Sequence, residues 1–129
     1  MRNRRNLRNS LRAAAILLSG LAGCMTPEPR NYFIFFPAGS AELTPEARQI
    51  VTTIAAAANQ RPAMKLAIEG RADGGATLDA ALADKRATKV MEALTESGVN
   101  AARLTKQPGA PPAGVTGVAA HQVIVHLAP

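Results

Sequence analysis

The 129-residue sequence has no tryptophan, one cysteine and four aromatic residues, Tyr32, Phe33, Phe35 and Phe36, all inside one short segment. A single thiol cannot close an internal disulfide, so nothing in the sequence staples the chain covalently to itself. Aromatics confined to one apolar stretch read as a buried strand rather than a platform for stacked bases, and no basic run follows residue 24. No nucleic-acid partner is therefore expected. No histidine lies near a serine or the cysteine, since His121 and His126 both sit at the far end, so a nucleophilic triad has no candidates. The carboxylates Asp73 and Asp79 stand in one loop region, but an acid/base pair needs a shaped cleft that a domain this small rarely builds. No enzyme and no catalytic residue is expected.

Charge is scarce in one place only. No acidic residue precedes position 24, whereas Arg2, Arg4, Arg5, Arg8 and Arg12 do. Beyond residue 23 the chain carries ten basic and nine acidic side chains, so the formal charge of +6 falls to about +1. The basic head, MRNRRNLRNSLR, is followed by AAAILLSGLAG. That apolar run is too short to cross a ~30 Å hydrocarbon core at ~1.5 Å per residue, and it reads as a signal peptide over residues 1–23. It ends in Leu21, Ala22, Gly23 and Cys24. This LAGC run resembles the lipobox of bacterial lipoproteins. The resemblance implies a diacylglycerol on the Cys24 sulfur, cleavage before it and acylation of the new amino terminus. Several acyl chains anchor stably where one does not. No other cofactor is implied. Met25 after the cysteine, rather than aspartate, resembles enterobacterial lipoproteins sorted to the outer membrane, with the domain facing the periplasm.

Residues 24–31 are the lipidated N-terminus and a short linker stiffened by Pro27 and Pro29, whose seven residues 25–31 reach at most ~25 Å. A single domain over residues 32–129 follows. Residues 32–36, YFIFF, predict a buried strand. Thr44 as N-cap, Pro45 at the first helical position and Glu46 in the first turn open a helix. Its Ala47, Ile50, Val51, Ile54, Ala55 and Ala58 share one face, and Pro62 closes it. Residues 64–70, MKLAIEG, alternate as a half-buried strand. A second helix is expected over 78–96, with Leu82, Ala83, Ala87, Val90, Met91 and Leu94 inward and Gly98 as its stop. Residues 99–107 offer a third strand, 107–117 a Pro/Gly-rich loop, and 121–127, HQVIVHL, a last strand. The expected class is α+β, an α/β sandwich in the order β-α-β-α-β-β with two helices on one face of a small mixed sheet.

The segment FFPAGSAELTPEA, residues 35–47, resembles the opening segment of OmpA-like peptidoglycan-binding domains, where a Phe-rich strand leads through serine to Leu-Thr-Pro-Glu-Ala. GRAD, residues 70–73, and DAALADKRA, residues 79–87, take the places of that family's Gly-x-Thr-Asp and Asn-x-x-Leu-Ser-x-x-Arg-Ala. The resemblance implies peptidoglycan as partner, its diaminopimelate held by Asp73 and Arg86. A guanidinium grips a carboxylate through parallel hydrogen bonds, and a carboxylate accepts from the ammonium. Backbone N–H groups at the start of the second helix, residues 77–80, are further candidate donors. Asp79 is a further candidate contact, or a charge partner of the helix N-terminus.

The sequence departs from the family at several points. Ala72 replaces threonine, Asp79 asparagine and Ala83 serine. The interval from Asp73 to Arg86 is two residues shorter, and GVAAHQ, residues 117–122, stands where an arginine-rich run is usual. Two readings of the central pair stay open: a ligand clamp, or an internal ion pair that orders a loop. The alternative for the whole chain is an interaction or assembly module without wall binding, docking on envelope proteins through residues 121–127 and the 108–114 loop. Glu69 and Arg71 read as exposed strand residues. His121 and His126, five apart on a strand, face opposite sides and cannot chelate one ion together.

Overall fold

In the computed structural model, residues 28–72, 77–109 and 120–129 are described, the side chains of residues 77–79 excepted. Proposed lipidation at Cys24 and the proposed ligand contact at Asp73 lie outside the described residues. Within them the chain runs β1 (Arg30–Phe35), α1 (Pro45–Asn59), β2 (Lys65–Gly70), α2 (Thr77–Glu96), β3 (Leu104–Gln107) and β4 (Gln122–Ala128). The sheet order is β1-β4-β2-β3. Strand β4 lies antiparallel to β1 and to β2, while β2 and β3 are parallel. A parallel pair needs a crossover, and α2 supplies it. The expected β-α-β-α-β-β sandwich is the one observed.

Register sorts the side chains onto two faces. Ile34 pairs with Val123, Leu66 with Leu127 and with Leu104, and Ile68 with Val125. All of these are buried, and with Ala47, Val51, Ile54 and Ala58 of α1 and Ala87, Val90 and Leu94 of α2 they form the core. Both helices cover this face. Ile50 and Met91 pack against it half-buried, whereas Leu82 is half-buried outside it. On the other face Phe33 pairs with Ile124 and Asn31 with His126, and no described helix covers it. The aromatic segment is consequently not buried throughout. Ile34 and Phe36 point inward, but Phe33 and Phe35 are 46% and 47% exposed, because strand alternation turns them to the open face.

The helix ends follow the signals in the sequence. The Thr44 hydroxyl accepts from the Ala47 amide at 3.2 Å, and Pro45 occupies the first turn. Gly98 takes φ +93°, and the Val99 amide donates back to the Leu94 carbonyl at 3.0 Å, closing α2 as a Schellman motif does. Three differences stand out. A 3-10 turn, Ala101–Arg103, precedes β3, so the third strand shortens to four residues. The last strand is internal, paired on both sides, with Val123, Val125 and Leu127 buried. Its edge therefore offers no docking surface, and the loop residues 110–119 lie outside the described residues. Glu69 and Arg71 are not free surface charges but a half-buried ion pair at 3.0 Å.

The C-terminus of α1 carries no basic residue of its own. Arg103 supplies one from the 3-10 turn. Its Nη2 donates to the carbonyls of Ala58 and Arg61 at 2.9 and 2.8 Å, and its Nε to Met64 at 2.9 Å. The Ala58 carbonyl in the last turn of α1 and two carbonyls of the connection that follows thus receive a cation where the helix dipole favours one. Replacing Arg103 with alanine is expected to lower unfolding stability by about 2 kcal/mol in urea denaturation, because charge-assisted bonds of this kind are worth more than neutral ones. Arg103→Lys should recover only part of that loss, since an ammonium cannot reach three diverging carbonyls.

Candidate functional site

Strands β1, β2 and β3 all run in one direction, so their C-terminal ends gather at the pole of the sheet where α2 begins. Three segments meet there: the β1–α1 connection, the two residues after β2, and the first half of α2. Arg86, in α2, joins them. Its Nε donates to the Ser40 carbonyl at 2.8 Å, its Nη1 to Arg71 at 3.1 Å and its Nη2 to Pro37 at 3.0 Å. The Phe36 ring lies beneath, 5.5 Å from the guanidinium carbon. The side chain is wholly buried. A buried cation is costly unless its donors are met. Here carbonyl dipoles and an aromatic face meet them.

The connection that offers these carbonyls is itself shaped locally. Gly39 takes φ +68°, a left-handed conformation that suits glycine. The Ser40 amide donates to the Pro37 carbonyl at 3.2 Å and the Ser40 hydroxyl accepts from the Glu42 amide at 3.1 Å. The turn therefore directs two carbonyls, Pro37 and Ser40, toward one guanidinium. From the other side the Arg71 amide donates to the Gln122 carbonyl at 2.8 Å, which continues the sheet by one residue and fixes the third carbonyl.

Close backbone approach sets the position of α2 over this pole. A methyl group on Gly70 would meet the Ala83 carbonyl oxygen, and one on Gly109 would meet the Gly70 carbonyl oxygen. The end of β2 is thus pressed between α2 and the segment after β3. Beside it opens a crevice of about 170 Å³ lined by Gly70, Ala80, Ala83, Asp84, Lys106 and Gly109. Asp84 and Lys106 bridge its rim at 2.7 Å. Asp79 lies in the first turn of α2, where a carboxylate complements the helix dipole, although its side chain is outside the described residues.

The remaining candidates fall elsewhere. His126 is on the open face, with Nδ1 2.9 Å from Asn31 Oδ1 and Nε2 3.2 Å from Glu69 Oε2. The backbone carbonyl of His121 accepts from the Phe36 amide at 2.8 Å. Among the described residues no three His, Cys, Asp or Glu side chains cluster as a metal site would require. Arg103 was not visible as a structural residue in the sequence. For Arg86 a signal did exist: it falls between Ala83, Ala87 and Val90 on the inward stripe of α2, where a solvated charge has no place.

The OmpA family model matches residues 35–114, well over half of the sequence. The chain belongs to the OmpA family. Solved structures share its fold at low identity. The OmpA-like domain of FopA1 from Francisella tularensis superposes with a TM-score of 0.68 at 16% identity, covering 78% of this chain and 73% of that one. The peptidoglycan-associated lipoprotein from Burkholderia pseudomallei gives 0.65 at 18%, covering 74% and 88%. A periplasmic domain of MotB from Helicobacter pylori gives 0.61 at 18%, covering 74% and 69%. Comparison with curated proteins gives no match.

The arrangement has two measurable consequences. Arg86→Ala is expected to cost roughly 3 kcal/mol of unfolding free energy, because the Ser40 and Arg71 carbonyls lose the guanidinium as donor and the Pro37 carbonyl keeps only the Ser40 amide; a melting curve indistinguishable from wild type would contradict the carbonyl nest. Gly70→Ala should destabilise by about 1–3 kcal/mol through overpacking against α2. Gly39→Ala is the comparison, since open space surrounds that position and only its backbone angle is strained.

Proposed function

We propose that the protein is an outer-membrane lipoprotein, acylated on Cys24, whose periplasmic domain binds peptidoglycan non-covalently and tethers the membrane to the wall. The observation that carries this reading is the carbonyl nest around Arg86. The nest holds a guanidinium rigidly at the pole where α2 begins, and one of its acceptors, the Arg71 carbonyl, comes two residues before Asp73 in the sequence. A preorganised charge loses little side-chain entropy when a carboxylate arrives. In this reading the carboxylate of diaminopimelate approaches Arg86, its ammonium goes to Asp73, and backbone N–H groups at the start of α2 favour the anion. Asp79 in the same turn is a further contact for the ammonium. The residues bind and orient; the reading assigns them no bond-making step.

Chain direction supports a tether. Residues 25–29 span at most about 18 Å, and β1 begins at the pole opposite the nest. The described chain therefore leaves the linker at one end of the sheet and carries the Arg86 nest at the other, so the nest faces away from the linker. Among the described residues no helix is long and apolar enough to cross a membrane, so the reading rests the anchoring on lipid.

A second reading draws on the complete burial of Arg86. It makes the arginine purely architectural and the domain an assembly module that docks on another envelope protein. Sedimentation with purified diaminopimelate-type peptidoglycan separates the two. Because Arg86→Ala also weakens the fold, the informative variant is Asp73→Asn, with thermal unfolding recorded alongside. Wild type should sediment with the wall and Asp73→Asn should stay largely in solution at unchanged melting temperature. Folded wild type that fails to sediment would favour the assembly module.

A further inference from the structure

The open face of the sheet has an apolar strip that the wall-binding site does not use. Phe33 and Phe35 stand two residues apart on β1, about 7 Å along the strand, and both are close to half exposed. Ile124 lies against Phe33 across the β1–β4 pair. Polar groups border the strip in a connected row: Asn31 to His126 at 2.9 Å, His126 to Glu69 at 3.2 Å, and Glu69 to Arg71 at 3.0 Å. Exposed phenylalanines rimmed by polar residues mark a contact surface.

Charge and chain length say what it contacts. Glu69 is the only acidic residue in the four strands, and it is matched by Arg71 and His126. Lys65, exposed and on the same face as Glu69 by strand alternation, adds a positive charge. The helices, by contrast, carry Glu46, Asp79, Asp84, Glu92 and Glu96 against the exposed Arg48, Lys85 and Lys89, with Lys106 of β3 paired to Asp84. An anionic surface is therefore met more favourably by the open sheet face than by the helical layer. The same strand that bears the two phenylalanines is the first to leave the linker, six residues after Cys24. We infer that the open sheet face, through Phe33 and Phe35, is a lipid-contact surface on which the anchored domain rests. This inference rests on the lipid-anchor part of the reading above. Tethering keeps the bilayer at high effective concentration for a weak surface, and aromatic side chains suit the boundary between headgroups and acyl chains. The nest around Arg86 lies at the strand ends under α2, so the contact leaves it uncovered.

The sequence has no tryptophan, which gives a clean reporter. The full chain, purified from membranes with acylation of Cys24 read by mass spectrometry, is reconstituted into phosphatidylethanolamine/phosphatidylglycerol vesicles that contain acyl-brominated lipid. Phe33→Trp should lose emission roughly twofold in the brominated vesicles, whereas Thr53→Trp, exposed on α1, should not. Adding Phe35→Ser to Phe33→Trp should relieve the quenching while wall sedimentation stays as in wild type. Equal emission with and without bromine overturns the inference, as does equal quenching at positions 33 and 53. An indole at position 33 that is shielded from both brominated lipid and aqueous acrylamide also overturns it, and points to a second copy on this face. An unacylated Cys24 overturns the anchoring reading and this inference together; an acylated chain without quenching overturns this inference alone.

Discussion

A guanidinium with no solvent around it organises one pole of this domain. Burying a cation costs several kcal/mol unless its donors are met, and Arg86 meets them with carbonyls from Pro37, Ser40 and Arg71. Those carbonyls have needs of their own. They belong to a turn and a strand end, places where backbone acceptors have no ladder partner. Arginine and carbonyls therefore solve each other's problem, and the solution binds the β1–α1 connection, the end of β2 and α2 into one unit. The close packing at Gly70, Ala83 and Gly109 lies beside that unit and sets how far α2 descends onto the sheet.

The opposite pole repeats the device with different partners. Arg103 gathers the carbonyls of Ala58, Arg61 and Met64, which closes the end of α1 onto the start of β2. A domain of about a hundred residues buries a limited core, here made of alanine, valine, isoleucine, leucine and methionine with one buried phenylalanine. Two arginines, one at each end, reduce the freedom of the connections that such a core holds least firmly. Arg103 and Arg86 both serve backbone carbonyls, where a cation gains more than in an exposed surface ion pair.

The parts that were legible in the sequence are those with local causes. Alternation, helical spacing, Thr44 with Pro45, and Gly98 each act within one element, and each does in the fold what its local chemistry predicts. The parts that were not legible depend on separation. Arg86 reaches partners 46, 15 and 49 residues away, and Arg103 reaches 39, 45 and 42 residues. Backbone carbonyls carry no signature in a sequence, so the partners of both arginines were hidden, although the place of Arg86 on the inward stripe of α2 already marked it as more than a solvated charge. The exposure of Phe33 and Phe35 was hidden for a related reason. YFIFF reads as a run with two buried sides, and only the placement of both helices on one face of the sheet leaves the other side open. Asp73 and Arg86 were singled out by resemblance, which conveys position and not burial.

Burial changes what Arg86 has to do in the proposed wall-binding reading. On an open surface an arginine must be collected from many rotamers before it can clamp a carboxylate, and each fixed rotor costs free energy. Held by carbonyls, it is already oriented, but its charge is partly answered before any ligand comes. In that reading affinity leans on what completes the site around it, the segment carrying Asp73 and the amino end of α2. The shortened interval between Asp73 and Arg86 acts at that point. In that reading the carbonyls of Pro37, Ser40 and Arg71 orient the arginine, and specificity for the zwitterion rests on Asp73 as well as on the arginine.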